Sequence, residues 1–210
     1  MFNFIVQWAL WESLFTYKFT NPERWSQYMS TINAFYVVIV ASKYIISPEY
    51  TNIYPILTNL IAYLATDFSH MIYFNYGDVL IRFHHILTIC LILLGFSLPS
   101  IFHHYIARVL MFETPIIFLN NHHLFFKDSP NSFLGRLNGI LTTLSYLGFR
   151  LVNGIDLAYD YHTDLKHELI PYMDYRHIFL ISSMFNLLIL LQIYWSYKLV
   201  RLAIKLLIKA

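Results

Sequence analysis

Apolar residues fall in long blocks separated by short polar stretches with turn chemistry. Blocks of about twenty residues mark candidate helices at 29–47, 54–75, 79–97, 101–120, 133–155 and 178–200, with a weaker one at 2–18. The breaks read "SPEYTN" (47–52), "NYGD" (75–78), "SLPS" (97–100) and "KDSPNS" (127–132), rich in the residues that punctuate helices. In lipid, only a helix satisfies its own backbone polar groups within so short a segment. The alternation near ten residues long that a membrane β-barrel needs is missing. The pattern predicts an all-α, multi-pass transmembrane helix bundle of six or seven spans. The seventh depends on whether residues 2–18 span the bilayer or lie along its interface.

Composition agrees with the membrane reading. Hydrophobic residues make up 58% of the chain and charged residues 12%, about half the charge of a soluble domain. No linker or repeat divides the sequence. An N-terminal apolar helix over 1–22 therefore leads into one membrane domain over 23–205 and a short basic tail end at 206–210. The formal charge of +2 comes without a basic run, so no nucleic-acid partner is expected. Cys90 is the one cysteine, which rules out an internal disulfide. The opening "MFNFIVQWALWESLF" has no basic start and carries Glu12, a poor pattern for a cleaved signal.

Charge also orients the bundle. Lys198, Arg201, Lys205 and Lys209 place the C-terminus in the cytoplasm by the positive-inside rule. Counting back, the 121–132 loop with Lys127 and nearby Arg136 faces the same side, as does the segment holding Lys18 and Arg24. The acidic 156–176 stretch faces the other side, where Asp156, Asp160, Asp164, His162 and His167 read as a wet loop and Arg108 reaches toward it.

Ionisable residues inside spans are expensive and mark candidate sites. Asp67 lies nine residues before Tyr76 at the centre of the 75–78 turn, and His85 nine after it. Glu113 is about eight residues from the cytoplasmic end of its helix. At roughly 1.5 Å per residue, Asp67, His84, His85 and Glu113 share a layer about 9–14 Å inside the cytoplasmic boundary. Neighbouring residues point about 100° apart on a helix, so His84 and His85 cannot aim at one atom, while Thr88 lies on the side of both. The catalytic reading makes His84 or His85 a base or nucleophile, Asp67 the carboxylate that fixes its tautomer, and Glu113 a second acid or base. The alternative is a polar clasp between helices. Pro115 predicts a kink beside Glu113. The pairs His84/His85, His103/His104 and His122/His123 sit at different depths, so no metal site is expected.

Several runs together resemble the TLC domain family, which includes ceramide synthases and small lipid-handling membrane proteins. They are "ERWSQYMST" (23–31), "YLATDFS" (63–69), "GDVLIRFHH" (77–85), "RVLMFETP" (108–115) and "LNGILTTLSYLGFR" (137–150). The family's recurring polar positions fall on Trp25, Asp67, Asp78, His84, His85, Glu113, Pro115, Asn138 and Arg150. Asn33 stands where the family usually has a histidine. "HHILT" (84–88) resembles the start of the ceramide synthase motif, whose histidines are implicated in acyl transfer. That motif's acidic continuation is replaced here by Phe112, Glu113, Thr114, Pro115 and Ile116, which places the chain nearer the small members.

The resemblance implies an endoplasmic-reticulum membrane protein that handles a membrane lipid or acyl chain, with no bound cofactor. Its expected role is in lipid homeostasis, membrane lipid composition or trafficking, through a polar cavity opening to the cytoplasm. Asp78, Thr88 and Asn138 are the expected lipid contacts. The alternative is an acyl-CoA-dependent N-acyltransferase of ceramide-synthase type, with acyl-CoA as substrate. A carrier would call for repeat symmetry, and none is visible. The sequence sets no oligomeric state.

Overall fold

The computed structural model describes residues 2–16, 21–48, 52–96, 98 and 102–209, and regular structure among them is helical throughout. Lys18 and parts of the 47–52 and 97–100 breaks lie outside the described residues, as do the side chains of Asp164, Lys205 and Lys209. Four helices open the chain: α1 (Phe2–Thr16), α2 (Pro22–Ile46), α3 (Tyr54–Tyr73) and α4 (Val79–Gly95). A second group comes next, in which α5 (His103–Leu110), a 3-10 turn (Met111–Glu113) and α6 (Thr114–Asn121) make one rod. Another rod runs through α7 (Phe133–Ser145), a π-helical turn (Tyr146–Val152), α8 (Asn153–Asp160), a second π turn (Tyr161–Leu165) and α9 (Lys166–Leu169). The last helix is α10 (Tyr175–Lys209).

Local chemistry sets these boundaries. Asn21 caps α2 by accepting from the Arg24 N–H at 3.0 Å, with Pro22 in the first turn. Asp78 caps α4 through the Ile81 N–H at 2.8 Å. Ser132 caps α7 through the Gly135 N–H at 3.1 Å. The reversal before α4 uses left-handed backbone at Asn75 (φ 51°) and Gly77 (φ 75°). A Cβ on Gly77 would also meet the Met71 sulfur at 3.2 Å, so conformation and space both call for glycine there. Pro115 has no N–H to give the Met111 carbonyl. Thr114 donates to that carbonyl instead, closing the 3-10 turn that carries Glu113.

The rods close into a ring. In space the order is α2, α3, α4, α10, the α7–α9 rod and the α5–α6 rod, which returns to α2. α1 lies outside, packed on α3, with Trp11 edge-on to Tyr63 at 5.2 Å and its indole N–H on Asn59 at 3.1 Å. Large apolar residues face outward around the ring, among them Ile39, Leu93, Leu144 and Leu190. The Pro22–Ile46 helix and the Tyr175–Leu202 part of α10 are long and apolar enough to cross a membrane, while α4 is apolar but shorter.

Three sequence expectations change. The helix expected at 29–47 begins at Pro22, and the one expected at 133–155 continues to Leu169. The expected wet loop is therefore partly helical. Asp156 and Asp160 sit on α8, where both pair with Arg108, the latter at 2.7 Å. Arg108 does reach that way, but it is held by two carboxylates.

Candidate functional site

A cavity of about 1250 Å³ lies inside the ring. Each of the six rods lends it side chains, including Ser26 from α2, Asp67 from α3, His84 and His85 from α4, Glu113 from the 3-10 turn, Arg150 from the π turn and Trp195 from α10. No described residue of α1 takes part. At the mouth stand Glu23, Arg24, Lys127, Asp128, Lys198 and Arg201.

Asp67 is the most heavily bonded group in the cavity and is 2% exposed. The Ser26 hydroxyl donates to its Oδ1 at 2.6 Å and the Tyr76 hydroxyl to the same oxygen at 3.1 Å. Tyr63 donates to Oδ2 at 3.4 Å, and His85 Nε2 lies 3.0 Å from Oδ2. Tyr76 belongs to the α3–α4 turn. Burial, and then the Asp67 carboxylate beside it, pushes its hydroxyl well above the ordinary tyrosine range.

The proton on His85 can be placed from its two contacts. Nδ1 lies 2.9 Å from the Ile81 carbonyl, which can only accept, so Nδ1 carries a hydrogen. The Nε2 contact with a carboxylate oxygen then needs a second proton between the two atoms. Three hydroxyls also donate to Asp67, so this shared proton completes its hydrogen bonding. His85 and Asp67 form a buried ion pair with both imidazole nitrogens committed.

His84 has a different environment. Its Nδ1 is 3.4 Å from the Thr88 hydroxyl, and its ring stands edge-on to Trp195 at 5.2 Å. Among the described residues, its Nε2 has no hydrogen-bond partner, and the residue lines the cavity. Glu113 also lines the cavity and makes no hydrogen bond or ion pair among the described residues.

Asp67, His84, His85 and Glu113 thus border one space, and Asp78 borders it near the mouth while capping α4. Thr88 backs His84 without lining the cavity. Asn138 is placed elsewhere: it is buried between rods, where its amide donates to the Phe118 carbonyl at 2.9 Å. Residues outside the sequence-derived site also border the cavity. Tyr63 lies four residues before Asp67, a spacing that sets both on one helix face. Ser26, Tyr76 and Trp195 carry no such local signal.

Arg150, marked in the sequence only through the family's recurring positions, is 3% exposed. Its Nε donates to the Phe112 carbonyl at 2.9 Å. The guanidinium carbon lies 4.7 Å from the Tyr146 ring centre and 5.6 Å from that of Trp195. A π turn, which shifts the facing of every side chain along it, presents this arginine to the cavity.

A TLC domain model matches residues 5–201. A search of curated proteins returns no significant match.

Proposed function

The chain belongs to the TLC domain family, membrane proteins of lipid metabolism or sensing, and on that premise we propose that it is a multi-pass protein whose ring holds a lipid. The observation that carries this reading is the cavity itself. Its wall sets ionisable side chains (Asp67, His84, His85, Glu113 and Arg150) among apolar ones such as Leu64, Ile81 and Ile116, an amphiphilic lining inside rods whose outer surface is apolar. A cavity of about 1250 Å³ exceeds the usual range for small-molecule sites, roughly 300–1000 Å³, and suits an amphiphile with a long chain. The basic mouth residues Arg24, Lys127, Lys198 and Arg201 favour a cytoplasmic opening and a cytoplasmic C-terminus. Family membership supports an endoplasmic-reticulum location and a role in lipid homeostasis.

The test is native mass spectrometry of the full-length protein released from gentle detergent. Retained lipid of one or a few classes is expected, and its loss on widening a wall with Trp195→Ala would tie it to the cavity. A protein that emerges lipid-free and takes up none on addition would sink the reading.

His84 favours a second reading, acyl transfer, because its Nε2 is uncommitted and borders the cavity. In that reaction Nε2 attacks a thioester carbonyl, the carbon–sulfur bond breaks, and the thiolate leaves with the imidazole proton. The acyl-imidazole then passes its acyl group to an acceptor amine or hydroxyl, which loses a proton. His85 is unsuited to the nucleophile's part because both its nitrogens are engaged. Incubation with labelled acyl-CoA should add acyl mass to His84. An adduct absent from wild type, or present in His84→Ala, would eliminate this chemistry.

A further inference from the structure

We propose that Arg150 is an anion seat and that the lipid held in the ring carries a phosphate headgroup. The inference rests on the lipid reading above and names the chemistry of its ligand. Arg150 is 3% exposed as a residue, so its guanidinium is held away from bulk water, and a charge so placed needs a counter-ion. The protein supplies none in contact: among the described residues Arg150 forms no ion pair, and its one hydrogen bond, from Nε to the Phe112 carbonyl, leaves both terminal nitrogens unspent. Asp67 is saturated by three hydroxyls and His85.

The surroundings fix the fork in place. Tyr146 and Trp195 flank the guanidinium, and the Phe112 carbonyl sets its rotation. The terminal nitrogens are left as a planar pair of donors of the kind that grips a phosphate with two parallel bonds. Four cations at the mouth, Arg24, Lys127, Lys198 and Arg201, outnumber Glu23, Asp78 and Asp128 there and draw anions inward. Trp195 touches both Arg150 and His84, so a phosphate on Arg150 places the rest of its molecule beside the free Nε2 of His84.

Glu113 is the competing anion. It borders the same cavity within electrostatic reach of Arg150, without an ion-pair contact between them, so its carboxylate competes with a bound phosphate for that guanidinium. Removing that charge should therefore tighten anion binding. If Glu113 were instead the counter-ion of Arg150 through solvent, the same change would leave binding unimproved and weaken the fold.

The experiment measures binding of phosphatidic acid and of diacylglycerol, alike in their acyl chains, to full-length protein in phosphatidylcholine nanodiscs. Wild type should prefer phosphatidic acid by about tenfold or more, as expected for a charge-assisted bidentate contact. Arg150→Gln should abolish the preference while diacylglycerol binding persists, which also shows that the variant is folded. Arg150→Lys should retain part of it, having the charge without the fork. Glu113→Gln should increase it. Equal binding of the two lipids by wild type, or a preference unchanged by both Arg150 variants, overturns the anion seat and leaves the lipid cavity standing. If neither lipid binds, the cavity reading itself is overturned. Competition by palmitoyl-CoA without any phosphatidic acid preference would assign the phosphate to a thioester carrier and overturn the lipid headgroup.

Discussion

Asp67 receives donors from three places in the ring: Ser26 on α2, Tyr63 on its own helix, and His85 on α4, with Tyr76 added from the turn. Removing the charge from such a group strands its partner. Asp67→Asn should lower stability by about 3–5 kcal/mol, the cost of breaking a buried ion pair from one side, read as a fall in thermal unfolding temperature in detergent. An unchanged melting curve would mean that the His85 proton is held by something else. The pairing of Asp67 with His85 is legible as counting, because two residues equidistant from a tight turn face each other across a hairpin. Arg150 is not, because a π turn adds a residue to the helical repeat and rotates the later side chains by an amount that spacing cannot supply. Asn138 shows the converse limit: the family resemblance marks it as an expected lipid contact, while its amide donates to the Phe118 carbonyl and ties two rods together.

At the scale of elements, helix existence is readable and helix ends are not. Scanning for apolar blocks finds every rod, yet it starts α2 seven residues late and stops the α7–α9 rod at 155. The missing turns are polar because one of their faces borders the cavity, as at Arg24 and Gln27, or an ion pair, as at Asp156 and Asp160. The start of α10 offers a pH test. Asp174 is fully exposed and accepts from the His177 backbone N–H at 2.9 Å and from its Nδ1–H at 2.8 Å. The backbone bond, then the side-chain bond, holds its carboxyl below the usual carboxylate range. Its folded pKa lies under its unfolded one, so the contribution is complete above the ordinary carboxylate pKa and is lost as pH falls through the depressed value. Amide exchange at His177 and Ile178 should therefore be protected at neutral pH and lose protection in acid, relative to intrinsic rates. Asp174→Ala should lack that change. Equal pH profiles for the two proteins would remove the cap from the account.

At the scale of the whole molecule, the mouth gathers positive charge at one end while the far end carries the Arg108 cluster. Labelling can check the orientation this implies. In a Cys90→Ser background, a cysteine at Asp128 should react with an impermeant maleimide applied from the cytosol, and one at Met173 only from the opposite side. The reverse pattern would invert the protein in its membrane and turn the cavity away from the cytoplasm.

The order of rods around the ring differs from their order along the chain. α2, α3 and α4 are neighbours, but α4 meets its other neighbour only in α10, which is made after all the other rods of the ring. During synthesis, therefore, the wall beside His84 is absent until α10 arrives with Trp195. A nascent chain stopped after residue 169 would have its histidine pair, its arginine and its carboxylates in place and no chamber around them. Completion of the ring is then a checkpoint in time: the chamber waits for α10, and loss of that helix opens the wall while leaving His84, His85, Asp67, Glu113 and Arg150 untouched.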